Sequence, residues 1–344
     1  MNHIAPIDFV VTWLDSNDPL WQEDYHKYKG DIKSGDHSEA RYRNWDDLFR
    51  FWFRSIENYA PWVNKVFLVT NGKFPEWINP DHPKIVLVKH SDFIPAKYLP
   101  TFNSCTIELN LGRIEGLSES FVYFNDDCYL NQPITPDYYF RKGLPCDNTE
   151  ETFLNAAIYT PERSFDNYLH KICDVGIINY HYNRREVVRK SISKWINPHL
   201  TITGLFVSIF LTVLRRTKFE GFRGAHVEQP MMKSTFSEVW EKNEAIMNMS
   251  CTRFREDLSL NPYIIRYWQL AQNKFYPKRF KSRKINLSIN NIDVIKKSLD
   301  SAKIKSLCLN DDCSGLSEKD FIFLKETVMG YMQKKFPSKS KYEL

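Results

Sequence analysis

The sequence predicts an α/β protein built on a mostly parallel sheet with helices on both faces, followed by a more helical second half. Two observations carry this. Over roughly the first 130 residues, short apolar runs rich in Val, Ile and Phe alternate with stretches whose apolar residues recur at helical spacing. Each apolar run then ends in a polar turn, at the edge where open α/β sheets bind ligands. With 42% hydrophobic and 15% aromatic residues in 344 positions, a large core is expected and disorder is not the default.

Ile7–Trp13 (IDFVVTW) reads as a buried first strand running into the acidic turn LDSNDP. Asp18 as cap and Pro19 at the first helical position open a helix predicted to reach Lys29, and Gly30–Glu39 follows as a polar loop. Leu48, Phe49, Trp52, Phe53 and Ile56 give Asp46–Tyr59 a helical period. Lys65–Thr70 and Ile85–Lys89 are two further strands, and a helix from Ser104 to about Arg113 leads to a strand at Phe121–Phe124. Beyond Asn131 the pattern turns helical and irregular. A helix is predicted from Gly224 to about Glu244, and another, capped by Ser317, runs to Phe336. Pro337–Leu344 is expected to fray.

Bulk properties narrow the function classes. A net charge of +5 does not by itself indicate nucleic acid. The basic runs Arg184–Lys194 and Lys274–Lys284 suit an anionic partner or are solvated faces. The second run, interleaved with Phe275, Tyr276 and Phe280, is expected to serve a membrane or glycan-assembly surface, not DNA. Seven cysteines without CxxC or Cys/His zinc spacing fit a reducing cytoplasm, and the N-terminus lacks the features of a signal peptide. The apolar tract Ile202–Leu214 is shorter than the about twenty residues a bilayer span needs, and it reads as a buried helix ahead of a membrane-surface one.

Chemistry concentrates at Asn125-Asp126-Asp127, at the end of the Phe121 strand. Adjacent carboxylates repel unless a cation or several donors sit between them. Mg²⁺ is held by one or two carboxylates together with substrate phosphates, so the reading is a metal–diphosphate site; a solvated Asx turn is the bland alternative. Asn71-Gly72 follows a strand where glycine allows close backbone approach, or is merely a turn. Asn103 and Ser104 open a helix whose free amides suit phosphate or sugar oxygens, a role compatible with ordinary capping.

Four blocks, Ile7–Trp21, Ala40–Leu130, Ala225–Trp240 and Thr252–Trp268, carry the strings TNG, PTFNS, RIEGLSE and NDD in order. Together they resemble the four regions shared by the Stealth proteins, sugar-1-phosphate transferases that include bacterial capsule enzymes and the animal enzyme building the mannose-6-phosphate tag. The resemblance implies a nucleotide-sugar-binding, GT-A-like or Rossmann-like core. It also implies transfer of a hexose- or N-acetylhexosamine-1-phosphate from a nucleotide sugar, UDP-linked by preference, to a growing polysaccharide or lipid-linked glycan. Mg²⁺ or Mn²⁺ is the implied cofactor, held by Asp126 and Asp127 with Asn125 in support. Asp15 and Asp18 match the first block and are expected at the nucleotide or its ribose, unless they only form an Asx turn and a cap. Asn71, Gly72, Asn103, Ser104, Arg113 and Arg253 complete the expected donor-binding set.

His226 falls in the region resembling the family's catalytic histidine, and an imidazole can deprotonate a hydroxyl near neutral pH. Arg255 is the expected diphosphate ligand, with Asp257 orienting it or taking a metal position. The chain departs from the family pattern at Gly112, where a histidine is common, at Glu228, where proline is frequent, and in the tight Arg255–Asp257 spacing.

The expected units are 1–135 (α/β core), 136–222 (helical lobe), 223–280 (return to the catalytic core) and 281–344 (helical C-terminal region). The leading reading is a cytoplasmic enzyme, possible peripheral contact with the inner membrane face included, acting in capsule or exopolysaccharide synthesis without nucleic acid. A glycosyltransferase that moves sugar without its phosphate is the alternative enzyme. A basic membrane- or nucleic-acid-binding module would leave the acidic turns unexplained.

Overall fold

The computed structural model describes residues 5–30, 45–153, 165–224, 226–256, 258–311 and 316–344. In chain order the strands are β1 (Ile7–Thr12), β2 (Val66–Thr70), β3 (Ile85–Lys89), β4 (Ser120–Asn125), β5 (Cys128–Leu130), β6 (Phe140–Arg141), β7 (Leu144–Asp147), β8 (Gln229–Met232), β9 (Tyr276–Pro277), β10 (Ser282–Asn286) and β11 (Ser306–Asn310). The α-helices are α1 (Pro19–Lys29), α2 (Arg50–Tyr59), α3 (His90–Phe93), α4 (Ser104–Leu109), α5 (Phe165–His181), α6 (Arg184–Lys190), α7 (Ile192–Trp195), α8 (Ile202–Val213), α9 (Lys233–Lys242), α10 (Glu244–Ser250), α11 (Tyr263–Ala271), α12 (Ile292–Leu299) and α13 (Glu318–Lys335).

The central sheet has the order β3-β2-β1-β4-β8; β1 to β4 are mutually parallel and β8 closes the edge antiparallel to β4. Strand periodicity splits the core in two. Phe9, Val11, Leu68, Val122 and Phe124 face a cluster completed by α2, α12 and α13, while Val10, Phe67, Val69, Phe121 and Tyr123 face one completed by α9 and α11. Burial on both faces explains why these strands are continuous apolar runs instead of alternating ones. The expected α/β class, with a mostly parallel sheet, is the one adopted.

Other expectations shift. Gly224–Glu244 is not one helix. Pro230 cannot donate to a helix ladder and sits in the edge strand β8 opposite Val122, so α9 starts only at Lys233. The C-terminal part is helical in α12 and α13 and adds two strands: β10 and β11 pair in parallel, and β11 runs antiparallel to β5. Pro337–Leu344 does not fray. Tyr342 and Glu343 are buried, and Glu343 accepts two hydrogen bonds of 2.8 Å from the Arg54 guanidinium of α2. Most of the expected loop Gly30–Glu39 lies outside the described residues.

The tract Ile202–Leu214 is a helix, α8, but an inverted one. Gly204, Ser208 and Leu211 pack inward while Ile202, Phe206, Ile209, Phe210 and Val213 point out. The reason is the ion pair beneath it. Arg184 is buried against Glu151 at 2.7 Å and also donates to the Ser208 carbonyl and Thr212 Oγ1, so the inward face of α8 must be polar. No helix among the described residues is long and apolar enough to cross a membrane.

Candidate active site

Because β1, β2 and β4 are parallel, the turns after Thr12, Thr70 and Asn125 emerge side by side at one sheet edge, with Thr12 directly paired to Asn125. The first turn is internally satisfied. Asp15 forms a 3.0 Å ion pair with Lys73, which follows β2, and that contact raises the lysine's pKa. Asp18 is buried and accepts from the Leu20 amide as the cap of α1. Gly72 adopts φ +127°, a conformation that favours glycine, which lets the chain turn back towards Asp15.

At the turn after β4 the side chains form a relay. Tyr123 Oη donates to Asn125 Oδ1 (2.7 Å), which leaves Asn125 Nδ2 facing His226 Nε2 at 2.9 Å. The same imidazole nitrogen lies 3.7 Å from Asp127 Oδ2. Two thiols hold this carboxylate from below, Cys128 Sγ to Oδ1 and Cys308 Sγ to Oδ2, each at 3.2 Å. Burial works to raise the Asp127 carboxyl, but the bonds from His226, Cys128 and Cys308 outweigh it and keep the group below its ordinary value. His226 is the converse: burial lowers its pKa, the Asp127 contact more than compensates, and the imidazole ends above 6.5.

Asp126, exposed at the tip of the turn, has a backbone hydrogen bond that lowers its carboxyl but is outweighed. Desolvation by the surrounding protein, then the Asp127 charge and that of Asp311 at the end of β11, push its carboxyl up to about 7. A carboxylate held that far from its ordinary value is one a cation would restore, so Asp126 and Asp127, with Asn125 beside them, suit a hard divalent ion. Asp127, His226 and Cys308 also present ligand atoms within 4.8 Å of one another.

The third cluster joins α4 to the segment after α10. Phe102 N donates to the Arg253 carbonyl (2.8 Å) and Asn103 Nδ2 to Thr252 Oγ1 (3.2 Å), while Asn103 Oδ1 caps α4. Arg255 Nη2 then reaches Ser104 Oγ at 2.9 Å. Glu108, one turn further along α4, lies between the clusters: burial raises its carboxyl to about 7 against the pull of both Arg255 and His226. Arg255 and His226 thus both bear on the Glu108 carboxyl. Arg253 instead stacks on Tyr28, 4.1 Å from the ring centroid, and Arg113 lies 4.5 Å from the centroid of Trp240. Asp257 is outside the described residues.

The departures from pattern have local causes. A Cβ on Gly112 would fall 2.3 Å from Phe236 Cβ, so the close packing of α9 leaves no room for a histidine. Glu228 is buried and accepts from Ser306 (2.7 and 2.8 Å) and Ser282 (3.1 Å), which ties the His226 segment to β10 and β11. In the basic run Lys274–Lys284, Arg279, Lys281 and Arg283 are exposed, and others have partners within the chain. Lys274 pairs with Glu238, Lys278 donates to the Asp137 and Tyr138 carbonyls, and Lys284 bears electrostatically on His226. Sequence reasoning missed Glu108, Cys128, Cys308 and Asp311. Glu108 and Cys128 stood in a recognised block; Cys308 and Asp311 become visible only once β11 pairs with β5.

An α/β sheet edge that gathers carboxylates, an imidazole and a guanidinium belongs to the class of transferases acting on phosphorylated donors. Residues 41–146 match Stealth protein CR2, conserved region 2. The chain is 36% identical to capsular polysaccharide phosphotransferase WcwK of Streptococcus pneumoniae over 98% of both chains. It is 35% identical to receptor polysaccharide phosphotransferase WefC of Streptococcus oralis, over 98% of this chain and 99% of that one. Exopolysaccharide phosphotransferase cps2G of Lactiplantibacillus plantarum is 33% identical, over 98% and 96%. A looser structural likeness, TM-score 0.38 at 10% identity over 97% of this chain and 98% of the other, is to the galactosyltransferase LgtC solved with donor and acceptor sugar analogues. The chain belongs to the Stealth family of phosphotransferases.

Proposed function

We propose that the protein transfers a hexose- or N-acetylhexosamine-1-phosphate from a nucleotide sugar to a hydroxyl of a capsular or exopolysaccharide glycan. The observation that supports this most is His226 against Asn125 and Asp127, with Arg255, bonded to Ser104, bearing on the same Glu108 carboxyl as His226. The acceptor oxygen bonds to the phosphorus that carries the sugar, its proton passes to His226 Nε2, and the bond to the nucleoside monophosphate breaks. Asp127 holds the imidazolium so formed, and Asn125 Nδ2 steadies the neutral ring. Arg255 serves the donor phosphates, its guanidinium steadied by Ser104. Asp126 and Asp127, with Asn125, would hold Mg²⁺ or Mn²⁺, which when bound neutralises diphosphate charge. Asp15, Asp18, Asn71 and Gly72, at the neighbouring strand ends, take the nucleotide side; Asn103 acts by placing Ser104. Arg113 and Arg253, both stacked on aromatic rings, belong to the donor set as outer contributors, and Asp257 as a neighbour of Arg255.

The test is a panel of nucleotide sugars with a glycan acceptor, read by phosphorus NMR. A phosphodiester product with release of nucleoside monophosphate is expected. Release of nucleoside diphosphate with a phosphate-free product would show a glycosyltransferase instead.

A further inference from the structure

Helix α8 turns its apolar side outwards. Ile202, Phe206, Ile209, Phe210 and Val213 fall at i, i+4, i+7, i+8 and i+11, so they share one face, and Ile202, Phe206 and Val213 are 90%, 68% and 73% exposed. The Phe206 and Phe210 rings stack at 6.2 Å and extend this face. At its C-terminal end the chain continues through exposed Leu214 into Arg215, Arg216 and Lys218, all solvent-facing, with Glu220 already paired to Arg216. Twelve residues span only about 18 Å, too short to cross a bilayer. An apolar stripe beside basic residues is the pattern of a helix lying in a membrane surface.

The position of α8 adds to this. Its cap, Thr201, bonds to Glu150, and both line a cleft of ≈ 190 Å³ that also takes in Arg223, Arg266, Arg279 and Val227, the neighbour of His226. One part of the cleft therefore lies at the cap of α8 and another along Val227–Pro230, the segment that follows His226.

We propose that α8 docks the protein on an anionic phospholipid surface, setting the mouth of this cleft at that surface so that a lipid-linked glycan can reach His226. The docking stands on α8 alone; the purpose of the cleft rests on the transferase reading. A second copy of the chain fits the face less well. Residues 201–214 contain no acid and Glu150 at the α8 cap is buried, so a copy laid antiparallel on α8 offers the exposed Arg215 no open carboxylate there, whereas lipid phosphates give it a partner.

The experiment is sedimentation of the full chain with vesicles of phosphatidylcholine alone or mixed with phosphatidylglycerol, at physiological salt. Light scattering and turnover on a water-soluble glycan are measured in parallel. Wild type is expected to pellet with phosphatidylglycerol vesicles and much less with phosphatidylcholine alone. Phe206→Ser/Phe210→Ser should pellet at least about tenfold less while keeping wild-type turnover on the soluble acceptor. Ile202→Glu, at the most exposed position and at a helix start that tolerates an acid, should behave the same way. Asp127→Asn should pellet like wild type and lose turnover. Wild type remaining in the supernatant, or both α8 variants pelleting unchanged, overturns the docking. A wild-type dimer that Phe206→Ser/Phe210→Ser converts to monomer overturns it in favour of self-association. A wild type that pellets yet transfers no sugar phosphate upholds the docking and sinks the transferase reading.

Discussion

Two acidic turns stand side by side at the carboxyl edge of the sheet, and they differ in what neutralises them. After β1, Asp15 has Lys73 and Asp18 has the α1 amides, so the charges are spent on holding local structure. After β4, Asp127 leans on an imidazole and two thiols, and Asp126 is left with a carboxyl raised to about 7. Similar residue types on equivalent strand ends thus give one settled turn and one that stores uncompensated charge. Only the second is poised for a cation.

The comparison is sharpened most by Asp127→Asn. It removes both an ion ligand and the partner of the proton acceptor, so turnover should fall by about 10⁴-fold with little change in melting temperature. Asp15→Asn, measured alongside, should act mainly by weakening binding of the nucleotide-sugar donor and lose far less turnover at saturating donor; an equal loss there would break the contrast. His226→Ala should cost about 10²–10³-fold in turnover and leave donor affinity by calorimetry intact, whereas Arg255→Ala should weaken both.

Next comes the cation itself. EDTA should silence the enzyme, and Mn²⁺ affinity, followed by titration, should fall about tenfold per pH unit below about 7, because Asp126 must shed its proton to bind. Asp126→Asn should flatten that slope and Asp15→Asn should not. Asp18→Ala, by contrast, should cost about 1 kcal/mol of stability through the lost cap, read from a denaturant titration, with Mn²⁺ affinity unchanged.

The smallest effect is the pH dependence of the His226–Asp127 pair. Asp127 is lowered, so its contribution is present above the ordinary carboxylate pKa and lost as pH falls through its folded value. His226 is raised, so its contribution is present below 6.5 and lost as pH rises through its folded value. The melting temperature should therefore gain slightly between about pH 4 and 6.5, and a flat profile in Asp127→Asn would confirm the source.

Strands β1, β2 and β4 were legible in the sequence because both their faces are buried, so every residue reports the same environment. The Asp18-Pro19 and Ser317 helix starts were legible because capping is a local event. Strand β10 was not: among its residues only Ile285 is fully buried, and the rest reads as a charged stretch. With β10 and β11 unseen, Cys308 could not be placed opposite Cys128, although the two are in register and both reach Asp127. The cysteines had been set aside because no short spacing linked them, and 181 positions separate Cys308 from the aspartate it contacts. Helix α8 was misread for a different reason. Apolar residues at helical spacing reveal a face, but which face turns inward was decided by Arg184 and Glu151, which lie elsewhere in the chain.

The bond from Arg54 to Glu343 bears on how the protein comes into being. Helix α2 and strand β5 leave the ribosome well over a hundred residues before Glu343 and β11, which complete them. Until those residues emerge, a guanidinium destined for burial has no partner and the edge of β5 stands open. The nascent chain therefore cannot close this part of its core segment by segment, and until those residues emerge it stays exposed to aggregation and to whatever chaperones are at hand.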